Sequence, residues 1–104
     1  MTTRADRGAA ATITEKQWLA QVAEIAGLCR WTTYHGWVSV HSPAGWPDLV
    51  LCRPPRLLFA ELKSERGKTT PAQDHWLGLL GQCPGIEVFV WRPSDLDDVV
   101  RVLR

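Results

Sequence analysis

The stretch Gly45–Gln73, GWPDLVLCRPPRLLFAELKSERGKTTPAQ, decides how this chain folds. Two largely apolar runs, DLVLCR (48–53) and RLLFAELKS (56–64), are separated only by Pro54 and Pro55. So short a connection makes them an antiparallel hairpin. The second run is apolar enough to be a central strand. Yet three charged side chains, Asp48, Glu61 and Lys63, sit in or beside these runs, and burying an unpaired charge is costly. Side chains alternate along a strand, so Glu61 and Lys63 point to one side and Leu62 to the other. Asp48 opens the first strand, and the hairpin can bring it beside Glu61.

Working outward, TTPAQ after the ERGKTT loop predicts a helix from Thr70, with Pro71 in its first turn, a favoured place for proline. Trp76, Leu77 and Leu80 continue it, and it stops between Gly81 and Gly85. IEVFVW (86–91) reads as a fourth strand. RPSDLDDVVRVLR then gives a last helix, capped by Ser94, with Asp95, Asp97 and Asp98 where the helix dipole favours acids. Upstream, Thr14-Glu15-Lys16-Gln17 has the form of a capping box. Trp18, Leu19, Val22, Ile25 and Ala26 follow it at helical spacing. WTTYHGWVSV (31–40), rich in β-branched and aromatic residues, reads as the first strand. The predicted order is α-β-β-β-α-β-α, a mixed four-stranded sheet flanked by helices. The helix between the third and fourth strands allows a right-handed parallel crossover.

The 104 residues suit one domain, expected over 13–104 behind a flexible arm at 1–12. No apolar run has membrane-spanning length, and the first residues lack the apolar stretch of a secretory signal. Cys29, Cys52 and Cys83 are scattered, with no C-x-x-C pair to suggest zinc, and fit reduced residues of a cytoplasmic protein. Net charge is +1, so the whole chain does not announce a polyanion partner. Locally, Arg53, Arg56, Lys63, Arg66 and Lys68 outnumber Glu61 and Glu65, a pattern that serves phosphate contacts or simply a solvated face.

Two carboxylates held close together repel, and one tends to keep its proton. A hard divalent cation such as Mg²⁺ or Mn²⁺ removes that conflict, taking one or two carboxylates plus water and substrate phosphate. With Lys63 alongside, the set suits metal-assisted hydrolysis of a phosphodiester. On charge pattern alone, Glu61 and Lys63 equally fit a structural ion pair, and Asp48 a turn cap after Pro47.

GWPD, twelve residues, then ELK resembles the PD-(D/E)XK nuclease superfamily, with its restriction-endonuclease-like core. More narrowly the chain is similar to the VRR-NUC family, the virus-type replication and repair nucleases. Gly45, Pro47, Asp48, Glu61, Lys63, Gly67 and Gln73 carry the likeness, together with VFVWRPSD (88–95), and it runs from about Thr14 to the end. The resemblance implies that Asp48 and Glu61 hold the metal, with the Leu62 carbonyl as a further ligand. It implies that Lys63 handles the attacking water and that Gln73 reaches the site from the start of its helix. TPAQ is also a capping box, so Gln73 has a local role too. A first-helix Glu of the family falls on Glu15, which lies three and four residues before Trp18 and Leu19 and so shares their face. Glu24 is the alternative, and a helix-start acid favoured by the dipole is the plain explanation of Glu15.

Arg66, Lys68 and Thr69 are expected to contact the DNA backbone, and His35 and His41 to contact phosphate or position DNA. His75 faces solvent or DNA. The likeness implies a Mg²⁺- or Mn²⁺-dependent DNA endonuclease of phage or prophage origin, acting on branched DNA in the manner of a Holliday-junction resolvase. Symmetric cutting of two strands needs two active sites, hence a homodimer. A flap-, nick- or end-processing nuclease working with a partner, and a non-catalytic nucleic-acid-binding module, are the rival readings.

Overall fold

Capping residues set the helix starts. The computed structural model describes residues 12–36 and 41–104. Helix α1 spans Glu15–Leu28. The Thr14 hydroxyl accepts from the Gln17 backbone N–H (3.1 Å), and the Thr14 N–H donates to the Gln17 side chain (3.0 Å). Strand β1 (Thr32–Tyr34) follows, then β2 (Leu49–Arg53), β3 (Arg56–Leu62), α2 (Pro71–Gly81), β4 (Ile86–Trp91) and α3 (Leu96–Leu103). This is the predicted α-β-β-β-α-β-α order.

The sheet order is β1-β2-β3-β4. β2 pairs antiparallel with both β1 and β3, while β4 runs parallel to β3 after the α2 crossover. The register places Leu49 opposite Ala60, so the next pair outward is Asp48 with Glu61. β1 is shorter than the predicted 31–40 strand: it ends at Tyr34, and 37–40 lie outside the described residues. The arm expected over 1–12 likewise falls outside them except for Thr12.

One face of the sheet carries the core. Leu49, Leu51, Leu58, Ala60, Leu62 and Trp91 pack there against Trp18, Val22 and Ala26 of α1 and Val99 and Leu103 of α3. Polar atoms inside it are paired. The Trp18 indole donates to the Trp91 carbonyl (2.9 Å) and the Trp31 indole to the Leu103 carbonyl (2.8 Å).

The basic segment divides between structure and surface. Arg53 donates to the carbonyls of Cys29 (2.8 Å) and Leu103 (3.1 Å), and its guanidinium lies 4.5 Å from the Trp31 ring centre. Arg56 pairs with Glu87 (2.7 Å) and caps the Val102 carbonyl. These two arginines close the C-terminal ends of α1 and α3, where helix carbonyls lack partners. Arg66 and Lys68 are exposed.

The last helix starts differently from the prediction. Ser94 does not cap it. Pro93–Asp95 forms a 3₁₀ turn, in which the Arg92 N–H donates to the Asp95 carboxylate (2.8 Å), and α3 begins at Leu96. The Ser94 N–H donates instead to Glu65 (3.0 Å), which ties this turn to the loop after β3. Among the described residues, no helix is long and apolar enough to cross a membrane.

Candidate active site

The opposite face of β3 presents Glu61 and Lys63. Leu62 takes the core face, and the three residues are all buried. Glu61 is 1 % exposed, which a carboxylate tolerates only with partners.

Its partners come from three elements. The turn before β2 supplies Asp48, whose carboxylate accepts from the Leu62 N–H (2.8 Å) and so is fixed on the end of β3. Lys63, the residue just past the end of β3, holds its Nζ 3.6 Å from Glu61 Oε2. Helix α2 supplies Gln73, whose Nε2 donates to the same oxygen (2.9 Å). Gln73 also closes the capping box, since its backbone N–H donates to the Thr70 hydroxyl (3.2 Å) and its Oε1 accepts from the Thr70 N–H (2.9 Å). The cap orients the amide, and the amide's free end reaches Glu61.

Gly45 locks the turn to the helix. Its φ is +96°, a region side chains disfavour, and a Cβ there would lie 2.4 Å from the Ala72 carbonyl carbon and oxygen and 2.8 Å from the Gln73 nitrogen. This close approach seats the Asp48 turn against the first turn of α2.

The other oxygen of Glu61, Oε1, is buried without a hydrogen-bond partner. Burial first, and then the neighbouring Asp48 carboxylate, push the Glu61 carboxyl up to about 8, with Lys63 pulling the other way. In the metal-free protein, burial and the neighbouring negative charge favour the neutral form of Glu61. Its folded value lies above the ordinary one, so the stabilisation is full below the usual carboxylate range and disappears as Glu61 ionises. Metal-free protein is expected to lose stability between about 4.5 and about 8 on the pH scale, at up to about 1.4 kcal/mol per pH unit. Denaturant unfolding across that window checks this, and added Mn²⁺ should flatten the slope.

The same features fit a divalent cation. Two oxygen donors converge, one buried oxygen lacks a partner, and the donor set is hard. Among the described residues, no group of three or more His, Cys, Asp or Glu is placed to hold a metal ion. The protein donors would therefore be the carboxylates of Asp48 and Glu61, completed by carbonyl, water and substrate oxygens.

Glu15 is not part of this cluster. It is exposed at the first position of α1, and its Oε2 lies 3.2 Å from where a Cβ on Gly67 would stand. Its helical phase matches Trp18 and Leu19, and its carboxylate lies by Gly67 in the loop after Lys63. Glu24 is also exposed. His35 is half-buried beyond β1, while His41 and His75 are exposed. Thr69 is half-buried beside exposed Lys68.

Arg92, which the sequence reading did not single out, braces the loop after Lys63. It donates to the carbonyls of Ser64 (2.9 Å) and Gly67. The Lys63 N–H donates to the Trp91 carbonyl (3.0 Å), so β4 holds both ends of this segment. Nothing in the local sequence signals this reach of 28 residues.

A mixed sheet with these crossovers and a carboxylate pair at the hairpin edge is the restriction-endonuclease-like fold. Among solved structures, a protein described as a VRR_NUC domain protein has this fold, with a TM-score of 0.60 and 21% sequence identity over 88% of this chain and 85% of that one. No family profile matches the chain, and no curated protein matches it.

Proposed function

We propose that the chain is a divalent-metal-dependent deoxyribonuclease, a VRR-NUC member of the PD-(D/E)XK superfamily that cuts branched DNA. The observation that carries this reading is the buried, unpartnered Oε1 of Glu61 set against Asp48. A structural ion pair with Lys63 would satisfy Oε2 alone. A cation accounts for both acids.

Asp48, Glu61 and the Leu62 carbonyl would hold the ion, which when bound polarises a phosphoryl oxygen and makes water a better nucleophile. Lys63 is nearly enclosed (7 % exposed) and its amine sits beside the carboxylate pair. There it orients the attacking water or takes up charge developing on the phosphate. Gln73 holds Glu61 in its rotamer through the 2.9 Å bond. Arg66, Lys68 and Thr69, in the loop that Arg92 braces, contact the DNA backbone, and His35 and His41 position the strand. These contacts fix register without reading sequence. Paired cuts on a four-way junction call for a homodimer, each protomer supplying one site. Free Cys29, Cys52 and Cys83 accord with a bacterial cytoplasm, where the protein would serve a phage or prophage.

The test uses labelled four-way junctions, flaps and linear duplex, with Mg²⁺, Mn²⁺ or EDTA. Symmetric paired nicks on the junction are expected. Cutting confined to flaps or ends would replace the resolvase reading, and binding without cutting in either metal would sink the nuclease reading. Lys63→Ala should reduce cleavage by about 10²- to 10⁴-fold while sparing binding, and normal cutting by that variant would remove Lys63 from the chemistry.

A further inference from the structure

Asp48 also forms part of the wall of a groove of about 710 Å³, between the end of β1 and the first turns of α2. That size suits a small-molecule pocket. Tyr34, Trp46 and Trp76 line it with Ser42 and Pro43. Tyr34 and Trp46 are two of the large hydrophobic side chains left exposed, at 66 % and 43 %.

The two tryptophan rings are held in place before any ligand arrives. Trp46 packs edge-on against Phe59 (5.4 Å between centres, 86°) and against Trp76 (5.0 Å, 81°). The Trp76 indole donates to the Ala44 carbonyl (3.1 Å), which fastens the helix to the turn. Charge narrows the choice of occupant. Among the described lining residues none is Lys or Arg, and Asp48 is the one charged side chain. That disfavours a phosphate and favours a neutral ring with polar edges. A base inside a duplex is already stacked on both faces, so only an unpaired one can present a face to these rings.

We infer that this groove receives an unpaired nucleobase of the DNA strand whose phosphate lies at Asp48 and Glu61. The inference rests on the nuclease reading for its choice of DNA. Trp46 stands two residues before Asp48, so an occupied groove and an engaged phosphate belong to adjacent nucleotides. The groove would thereby select branched or single-stranded segments over intact duplex.

The test is an abasic scan. Wild-type protein in Ca²⁺ is titrated with a labelled flap substrate in which each nucleotide near the branch is replaced, one at a time, by an abasic one. One position is expected to weaken binding by about 5- to 100-fold. Intact substrate should quench tryptophan fluorescence, and the abasic version at that position should not. Tyr34→Ala, which alters an exposed ring, and Trp46→Leu, with folding checked by circular dichroism, should each shrink the abasic penalty. Metal-dependent cutting with no abasic-sensitive position would overturn the groove assignment and leave the nuclease reading standing. A sensitive position without any cutting would do the reverse. Tighter binding to the matching RNA would overturn the choice of DNA, and no nucleic-acid binding at all would end both.

Discussion

Glu61→Gln is expected to abolish cleavage and at the same time make the metal-free protein more stable. On the proposed nuclease reading, losing a carboxylate that would hold the cation removes several kcal/mol of transition-state stabilisation, on the order of 10³-fold or more in rate. The stability change has the opposite sign for the same physical reason. At the alkaline end of its titration, the wild-type protein must either hold a proton on Glu61, whose carboxyl is pushed up to about 8, or bury a second negative charge beside Asp48. A glutamine does neither. Its carbonyl can keep accepting from Gln73, and its amide can donate toward Asp48. A gain of a few kcal/mol is expected above neutral pH, falling toward zero in acid, where Glu61 is protonated anyway. Denaturant unfolding and junction cleavage on the same preparations check both halves. Were Glu61 merely one half of a structural ion pair with Lys63, its neutralisation would strand a buried amine and destabilise the protein at every pH.

Gly45→Ala should damage both fold and site. The added methyl group would stand 2.4 Å from the Ala72 backbone, which cannot swing aside as a side-chain tip can. Its φ of +96° adds backbone strain. Together these effects should cost about 2–5 kcal/mol. Relief comes only by moving the Asp48 turn away from α2, which pulls Gln73 off Glu61, so cleavage should fall by more than the loss of folded protein. Gly85→Ala is the control. That residue has φ of +81°, but nothing lies within 4 Å of the added atom, so about 1 kcal/mol is expected, with cleavage unaffected. Equal losses for the two variants would show that backbone conformation, not the close approach, governs Gly45.

Much of this fold can be read from local signals. The two capping boxes mark where α1 and α2 begin, and the Pro54-Pro55 turn forces the hairpin. Strand alternation then puts Glu61 and Lys63 on the face away from Leu62, and the hairpin register carries Asp48 to the same edge. What escaped depends on distances along and between elements. Helical phase gives Glu15 its face of the helix but not its neighbours, and the loop residue Gly67 beside it is remote in sequence. Ser94 has a capping residue's chemistry, yet the Asp95 carboxylate closes a 3₁₀ turn onto Arg92 and moves the helix start beyond it. Arg92 and the Trp46–Trp76 contact join segments remote in sequence. The sequence holds six tryptophans, but nothing in their spacing says which rings meet.

Calorimetric titration of the metal-free protein with Mn²⁺, repeated in buffers of different ionisation enthalpy, bears most directly on the carboxylate pair as a cation cradle. Below the point where Glu61 ionises, saturable binding should release close to one proton per ion, and affinity should fall by more than about tenfold in Asp48→Asn and Glu61→Gln. Binding of equal strength in all three proteins, or binding that releases no proton, would contradict it.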